Sequence, residues 1–220
     1  MKVLLLLHSA PTARAVACAK SIGDVTALAV APSDAVFWAG GDLSGCQKVR
    51  VWDESLDPAT LHAFDWEARV ASVVAQAARR LGTSVVVLTE SQAGFLGAAL
   101  AEQLNLAHLS EVISARVEAA SDDEPLLHVR RRGLHGVQVL SGVAQAVLSV
   151  LPSWGSASSV APSEPGSPSE VWSLEDISLC SGDLPPPQLE AGAKMARRHR
   201  PRLYIGAEAL VERLRRDGLE

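Results

Sequence analysis

Hydrophobic and polar positions follow two patterns along the chain, and the change comes near His108. Residues 3–7 are a continuous apolar run, and 25–30 and 84–88 are similar runs bounded by turn residues. Runs of that length predict strands buried on both faces. Between them, 12–22 is rich in alanine and ends at Gly23-Asp24, while 67–81 sets Val70, Val73, Val74, Ala77 and Leu81 on one stripe and stops at Gly82. That is helical spacing with a glycine stop, in a tract that Asp57-Pro58 opens. Residues 47–52 alternate Val49 and Val51 with Lys48 and Arg50, which predicts a third strand near a sheet edge. Ser33-Asp34 caps a short helix reaching Trp38, and a longer helix spans 93–104, where Gly94 and Gly97 allow close approach to the sheet. Strands alternating with helices predict a parallel, right-handed α/β sheet.

Beyond His108 the strand candidates are 112–117, 126–132, 137–140 and 144–150, separated by turns such as Gly133 and Ser141-Gly142. No crossover helix fits between them, so the sheet gains a mixed extension. Residues 152–170 are dense in Ser, Pro and Gly and read as a linker. The expected organisation is therefore an α/β domain over 1–151, the linker, and an extended C-terminal arm over 171–220. The arm carries Val171, Trp172, Leu174 and Ile177 as apolar anchors, a basic cluster at 197–202 and a terminal helix at 206–216. Such an arm gains stability by lying on another surface, and a partner chain is the surface expected.

Composition narrows the function. The chain has 220 residues, 48% of them hydrophobic but only 4% aromatic, so its core is built from Ala, Val and Leu. With 20 basic against 25 acidic residues the net charge is -5, which removes the electrostatic footprint of a nucleic-acid binder. Cys18, Cys46 and Cys180 lie far apart, with no framework of disulfides or zinc ligands, and a reducing cytoplasm is the expected setting. No apolar stretch approaches the roughly 20 residues of a membrane helix, and the run at 3–7 is too short for a signal peptide.

Ligands of a doubly wound sheet bind at the carboxyl ends of its strands. The positional candidates are thus Ser9 and Ala10 after the first strand, Thr89, Ser91 and Gln92 after the fourth, and Gly94 opening the next helix. Both turns precede helix N-termini, where free N–H groups receive an anion; ordinary polar loops look the same in sequence. In the run Arg130-Arg131-Arg132 a strand sends Arg131 to the opposite face from its neighbours, which makes it the candidate for an anionic cofactor or partner. A solvated hairpin has that pattern too. No phosphate-binding glycine motif, nucleophile elbow or metal-ligand spacing occurs, and Glu111 and Glu118 have no acid or base placed beside them. Ser9 or Ser91 as a nucleophile lacks a histidine base, and Cys18 and Cys46 read as small hydrophobes. The pattern is that of a binding or assembly subunit and not of a self-contained catalyst.

Four segments carry a resemblance. Residues 94–112, GFLGAALAEQLNLAHLSEV, resemble the helix-to-strand pattern of the electron transfer flavoprotein family. Residues 128–136, HVRRRGLHG, resemble its strand with an arginine before a glycine turn, 145–150 stand where the family has a "PAVVTV" strand, and 171–177, VWSLEDI, are similar to a tail segment of its β subunit. The resemblance implies a three-layer, Rossmann-like fold of the adenine nucleotide alpha hydrolase type. It also implies an electron-carrying β-like subunit, not an enzyme, that pairs with an α-like subunit, shares its FAD, and takes electrons from acyl-CoA or related dehydrogenases. Family β subunits also hold an AMP. This chain departs from them in its short 89–93 turn without aspartates and in Gln145 in place of a proline, so AMP is less well supported than FAD. The alternative from another class is a stand-alone adenine-nucleotide-binding sensor on the same sheet.

Overall fold

The computed structural model describes residues 1–7, 13–32, 43–89, 95–118, 125–151 and 168–188. In chain order these form β1 (Lys2–Leu7), α1 (Ala13–Lys20), β2 (Asp24–Val30), β3 (Gln47–Val51), α2 (Ala63–Leu81), β4 (Val85–Thr89), α3 (Phe95–Leu104), β5 (Ala107–Glu118), β6 (Leu126–Gly133), β7 (Gly136–Val143), β8 (Ala146–Val150) and β9 (Glu170–Trp172). The sequence candidates for a helix at 33–38, the basic cluster and the terminal helix lie outside the described residues, as does most of the linker.

One nine-stranded sheet runs in the order β7-β6-β5-β8-β4-β1-β2-β3-β9. All neighbouring strands from β5 to β9 in that order pair in parallel, and the β5–β6 and β6–β7 pairs are antiparallel. This is the α/β sheet with a mixed extension that the two sequence patterns predict. The pleat of β1 divides the core. Val3, Leu5 and Leu7 pack with Ala15, Val16 and Ala19 of α1, while Leu4 and Leu6 pack with Val70, Val73 and Val74 of α2 and Leu96 and Leu100 of α3. Alanine and valine at the contacts let helices and sheet approach closely, which is how a core so poor in rings is filled.

Local chemistry sets the helix limits. α2 opens at Ala63, later than Asp57-Pro58 suggests, because His62 supplies the cap: its Nδ1 accepts the Phe64 N–H at 3.2 Å. At its other end Gly82 takes the left-handed φ of 64°. Residues Glu54–Leu56 form a separate 3₁₀ turn, capped by Asp53.

β3 lies near the sheet edge as expected, one strand in from it, because β9 pairs with it in parallel, Arg50 with Val171 and Val51 with Trp172. Two expectations are corrected. The strand predicted at 112–117 begins at Ala107, since His108 Nε2 and Ser149 Oγ meet at 2.9 Å and make a polar opening compatible with a sheet interior. Three of the four arm anchors cover this chain's own sheet: Trp172, Leu174 and Ile177, joined by Leu179 and Leu184, are buried in the α2 side of the core, while Val171 is exposed. Polar contacts fix that course. Arg69 donates to the Ser55 and Pro185 carbonyls at 2.6 and 3.0 Å, the Gln188 N–H reaches Asp65 at 3.0 Å, and the Arg80 guanidinium lies 4.5 Å from the centre of the Trp172 ring.

β5 bends back on itself. Its first half pairs with β8 up to Val112–Val150, and its second half pairs with β6. Val117, past the bend, lines one cavity with Met1, Ile22 and Ser84 at the amino ends of the other strands. The bend lies where the register shifts, and Glu111 there takes a φ of 57°. The hairpin of β6 and β7 is thereby folded over the α1 side, with Val112, Ala115, Leu127 and Val129 in that half of the core.

Candidate functional site

β1 leads through α1 to β2 on one side, whereas α2 returns the chain to β4 on the other side of β1. The order therefore reverses between β1 and β4, and an open α/β sheet forms its ligand crevice outside the carboxyl ends at such a switch point. Leu7 ends β1 there, and Thr89 ends β4, half-buried and paired with Val150. Of the sequence candidates, Thr89 is thus at the carboxyl end beside the switch point. Ser9, Ala10, Ser91, Gln92 and Gly94 lie outside the described residues.

Arg131 pairs with Val112, beside the end of β8. It shares the α1-facing side of β6 with Leu127 and Val129, and Arg130 and Arg132 turn the other way. Its Nε is buried without a hydrogen-bond partner. Arg132 is engaged differently, through Nε and Nη2 to the two Glu111 oxygens, both at 3.0 Å. That fork holds the Glu111 carboxyl below the usual range, with Arg131 adding to the effect, and ties the bend of β5 to β6. Glu118 meets His128 Nε2 at 3.2 Å, while Ser141 Oγ lies 2.8 Å from Nδ1. The carboxylates of Glu111 and Glu118 thus have separate partners.

Sequence reasoning missed Arg50. Val49 and Val51 point into the α2 side of the core, so Arg50 points to the α1 side, next to Ala29. Its Nε too is buried without a hydrogen-bond partner. Two orphaned guanidinium nitrogens on the same side of the sheet fit an anionic group there, since each lacks an acceptor. The alternation of 47–52 carried the signal in sequence, but only the covering of β3 by β9 shows Arg50 as half-buried with its Nε out of reach of solvent.

The start of α3 is already supplied with a carboxylate. Glu67, on α2 and 5% exposed, accepts the Leu96 N–H, and its other oxygen has no hydrogen-bond partner. Burial pushes its carboxyl up, and the Leu96 bond opposes that rise. A resident acid at this helix start works against a phosphate there.

His108 and Ser149 form a serine–histidine pair that the spacing in sequence does not reveal. Gly97 of α3 sits over both, and a Cβ built on it would lie 2.6 Å from His108 Nε2 and from Ser149 Oγ. Ser149 is 5% exposed, and burial holds the His108 imidazole below its usual value, in the neutral form that suits this contact. Covered by α3, the pair secures the α3–β5–β8 contact. Cys18 is buried and its thiol is pushed up to about 11 by burial, so it is inert at neutral pH. Among the described residues no group of three or more His, Cys, Asp or Glu could hold a metal ion, and no helix is long and apolar enough to cross a membrane.

No protein-family model and no curated protein matches the chain. The site is therefore read from its chemistry. A cavity of about 480 Å³ beside the hairpin lies at the amino ends of the strands, away from the switch point. Two buried guanidinium nitrogens without a hydrogen-bond partner, and Thr89 at a strand end beside the strand-order reversal, are the features that suit an anionic group.

Proposed function

We propose that this chain is an electron transfer flavoprotein β-like subunit, working with an FAD-carrying α-like subunit. The observation that carries the reading is the placement of Arg131: the bent β5 and the hairpin bring its unpartnered Nε to the end of β8. The resembling segments support it, since they coincide with α3 and the start of β5, with β6 and its glycine turn, with β8, and with β9 and the turn after it. When bound, a flavin supplies the one- and two-electron chemistry. This chain's own part is to bind and orient: Arg131 and Arg50 neutralise anionic groups, Thr89 offers a hydroxyl, and the folded hairpin excludes water from that side of the sheet. The test is an electron-transfer assay from an acyl-CoA dehydrogenase to a dye acceptor, with each subunit alone and with both. Transfer that needs both chains supports the reading, and transfer unaffected by this chain overturns it.

A further inference from the structure

Among the described residues β7 forms one edge of the sheet, and each of its residues is exposed. Val137 is 53% exposed, Val139 67%, Leu140 37% and Val143 49%. Its sequence, GVQVLSGV, holds no charged residue and no proline. Edge strands ordinarily carry such residues or stay short, because a free row of N–H and C=O groups invites pairing. The opposite edge, β9, follows that rule with three residues. β7 does not.

The edge is complementary to a second copy of itself. Leu134-His135 is a two-residue loop between the paired Gly133 and Gly136, which makes that pair hydrogen-bonded and fixes the alternation above it. The pairs opposite Val137, Val139, Ser141 and Val143 are then the non-hydrogen-bonded ones, so these four residues turn their N–H and C=O groups outward. An antiparallel copy of the same strand, with the twofold axis at Leu140, sets Val139 against Ser141 and Val137 against Val143. Every outward group then has a partner, each pair exchanging two bonds. No like charges oppose each other in this register. Arg130 and Arg132 on β6 stand three strand spacings, about 14 Å, from their copies, farther than the roughly 8 Å screening length of physiological salt.

We propose that β7 is a self-association edge, joining two copies of this chain through an antiparallel β7–β7 ladder centred on Leu140. The ladder joins the two sheets into one and gives the exposed valines apolar neighbours. An eight-residue edge covers less than the roughly 800 Å² per partner of a standard interface, so the dimer dissociates on dilution. The proposal is independent of the electron-carrier reading.

The test is sedimentation or light scattering of the full chain over a concentration series, with amide hydrogen exchange at both ends of the series. The mass rises from that of one chain towards two, and the amides of Val137, Val139, Ser141 and Val143 slow with concentration. Val139→Pro removes an N–H that β6 does not use, so the fold persists, verified by circular dichroism, and the dimer is lost. Val139→Lys, which places a charge at the ladder, gives the same loss. A chain that stays monomeric throughout overturns the proposal, as does a dimer in which those four amides stay unprotected or in which both variants associate like the original. Protection that appears only on adding a different protein also overturns it, by assigning the edge to another occupant.

Discussion

Glu67 and His108 titrate against the fold from opposite sides. Burial raises the folded pKa of Glu67, so the folded state holds its proton more tightly; the contribution is full below the ordinary value of 4.5 and is lost as pH rises through the raised one. His108 is lowered from 6.5, so its contribution is full above that value and is lost as pH falls towards the folded pKa. Glu67→Gln keeps an acceptor for the Leu96 N–H and removes the charge: urea unfolding at pH 7 is expected to show stability unchanged or raised. Glu67→Ala, which leaves that N–H unpaired, is expected to cost about 1–3 kcal/mol. His108→Gln is expected to flatten the loss of stability below pH 6.5, read from unfolding midpoints across a pH series. Gly97→Ala separates packing from propensity. In an open helix alanine gains about 1 kcal/mol over glycine. Here its Cβ meets His108 and Ser149 at 2.6 Å, and the expected result is a net loss of about 1–3 kcal/mol in the same unfolding experiment.

Among the elements, the arm from β9 to Gln188 is a strap that completes the α2 layer. Trp172→Ala removes a side chain 6% exposed and its contact with Arg80, and about 3 kcal/mol of stability is expected to go with it. Hydrogen exchange distinguishes a strap from a partner-binding tail: in the variant the amides of β3 lose protection, whereas a tail meant for another chain leaves β3 unchanged. The strap also shows where sequence reading stops. The parallel strands and helices were legible because their apolar runs and stripes are local, and the Gly82 stop and the alternation of Arg130, Arg131 and Arg132 were legible for the same reason. The covering of β3 by β9 was not, because a three-residue strand gains its place from contacts more than a hundred residues distant, such as the Lys48 carbonyl with the Ser169 N–H. The bend of β5 depends on a non-glycine residue in the left-handed region, a conformation that Glu111 does not advertise.

At the scale of the molecule, two features of the fold meet. The strand order reverses between β1 and β4, and the hairpin folded over α1 brings a cation towards the carboxyl end of the sheet. The place of Thr89 at a strand end and of Arg131 on the face opposite its neighbours was legible by position and by alternation, while the surroundings of Arg50, Glu67 and the His108–Ser149 pair became visible only in three dimensions. If Arg131 meets an anionic group of the flavin or of the partner, Arg131→Gln weakens retention of flavin in the complex while leaving the unfolding midpoint of the isolated chain near its original value. The most direct measurement is size-exclusion chromatography of this chain mixed with an FAD-loaded α subunit, followed by protein and flavin absorbance together. A single yellow peak containing both chains is expected, with less flavin for the Arg131 variant; separate elution, with flavin only under the α subunit, would overturn the subunit reading.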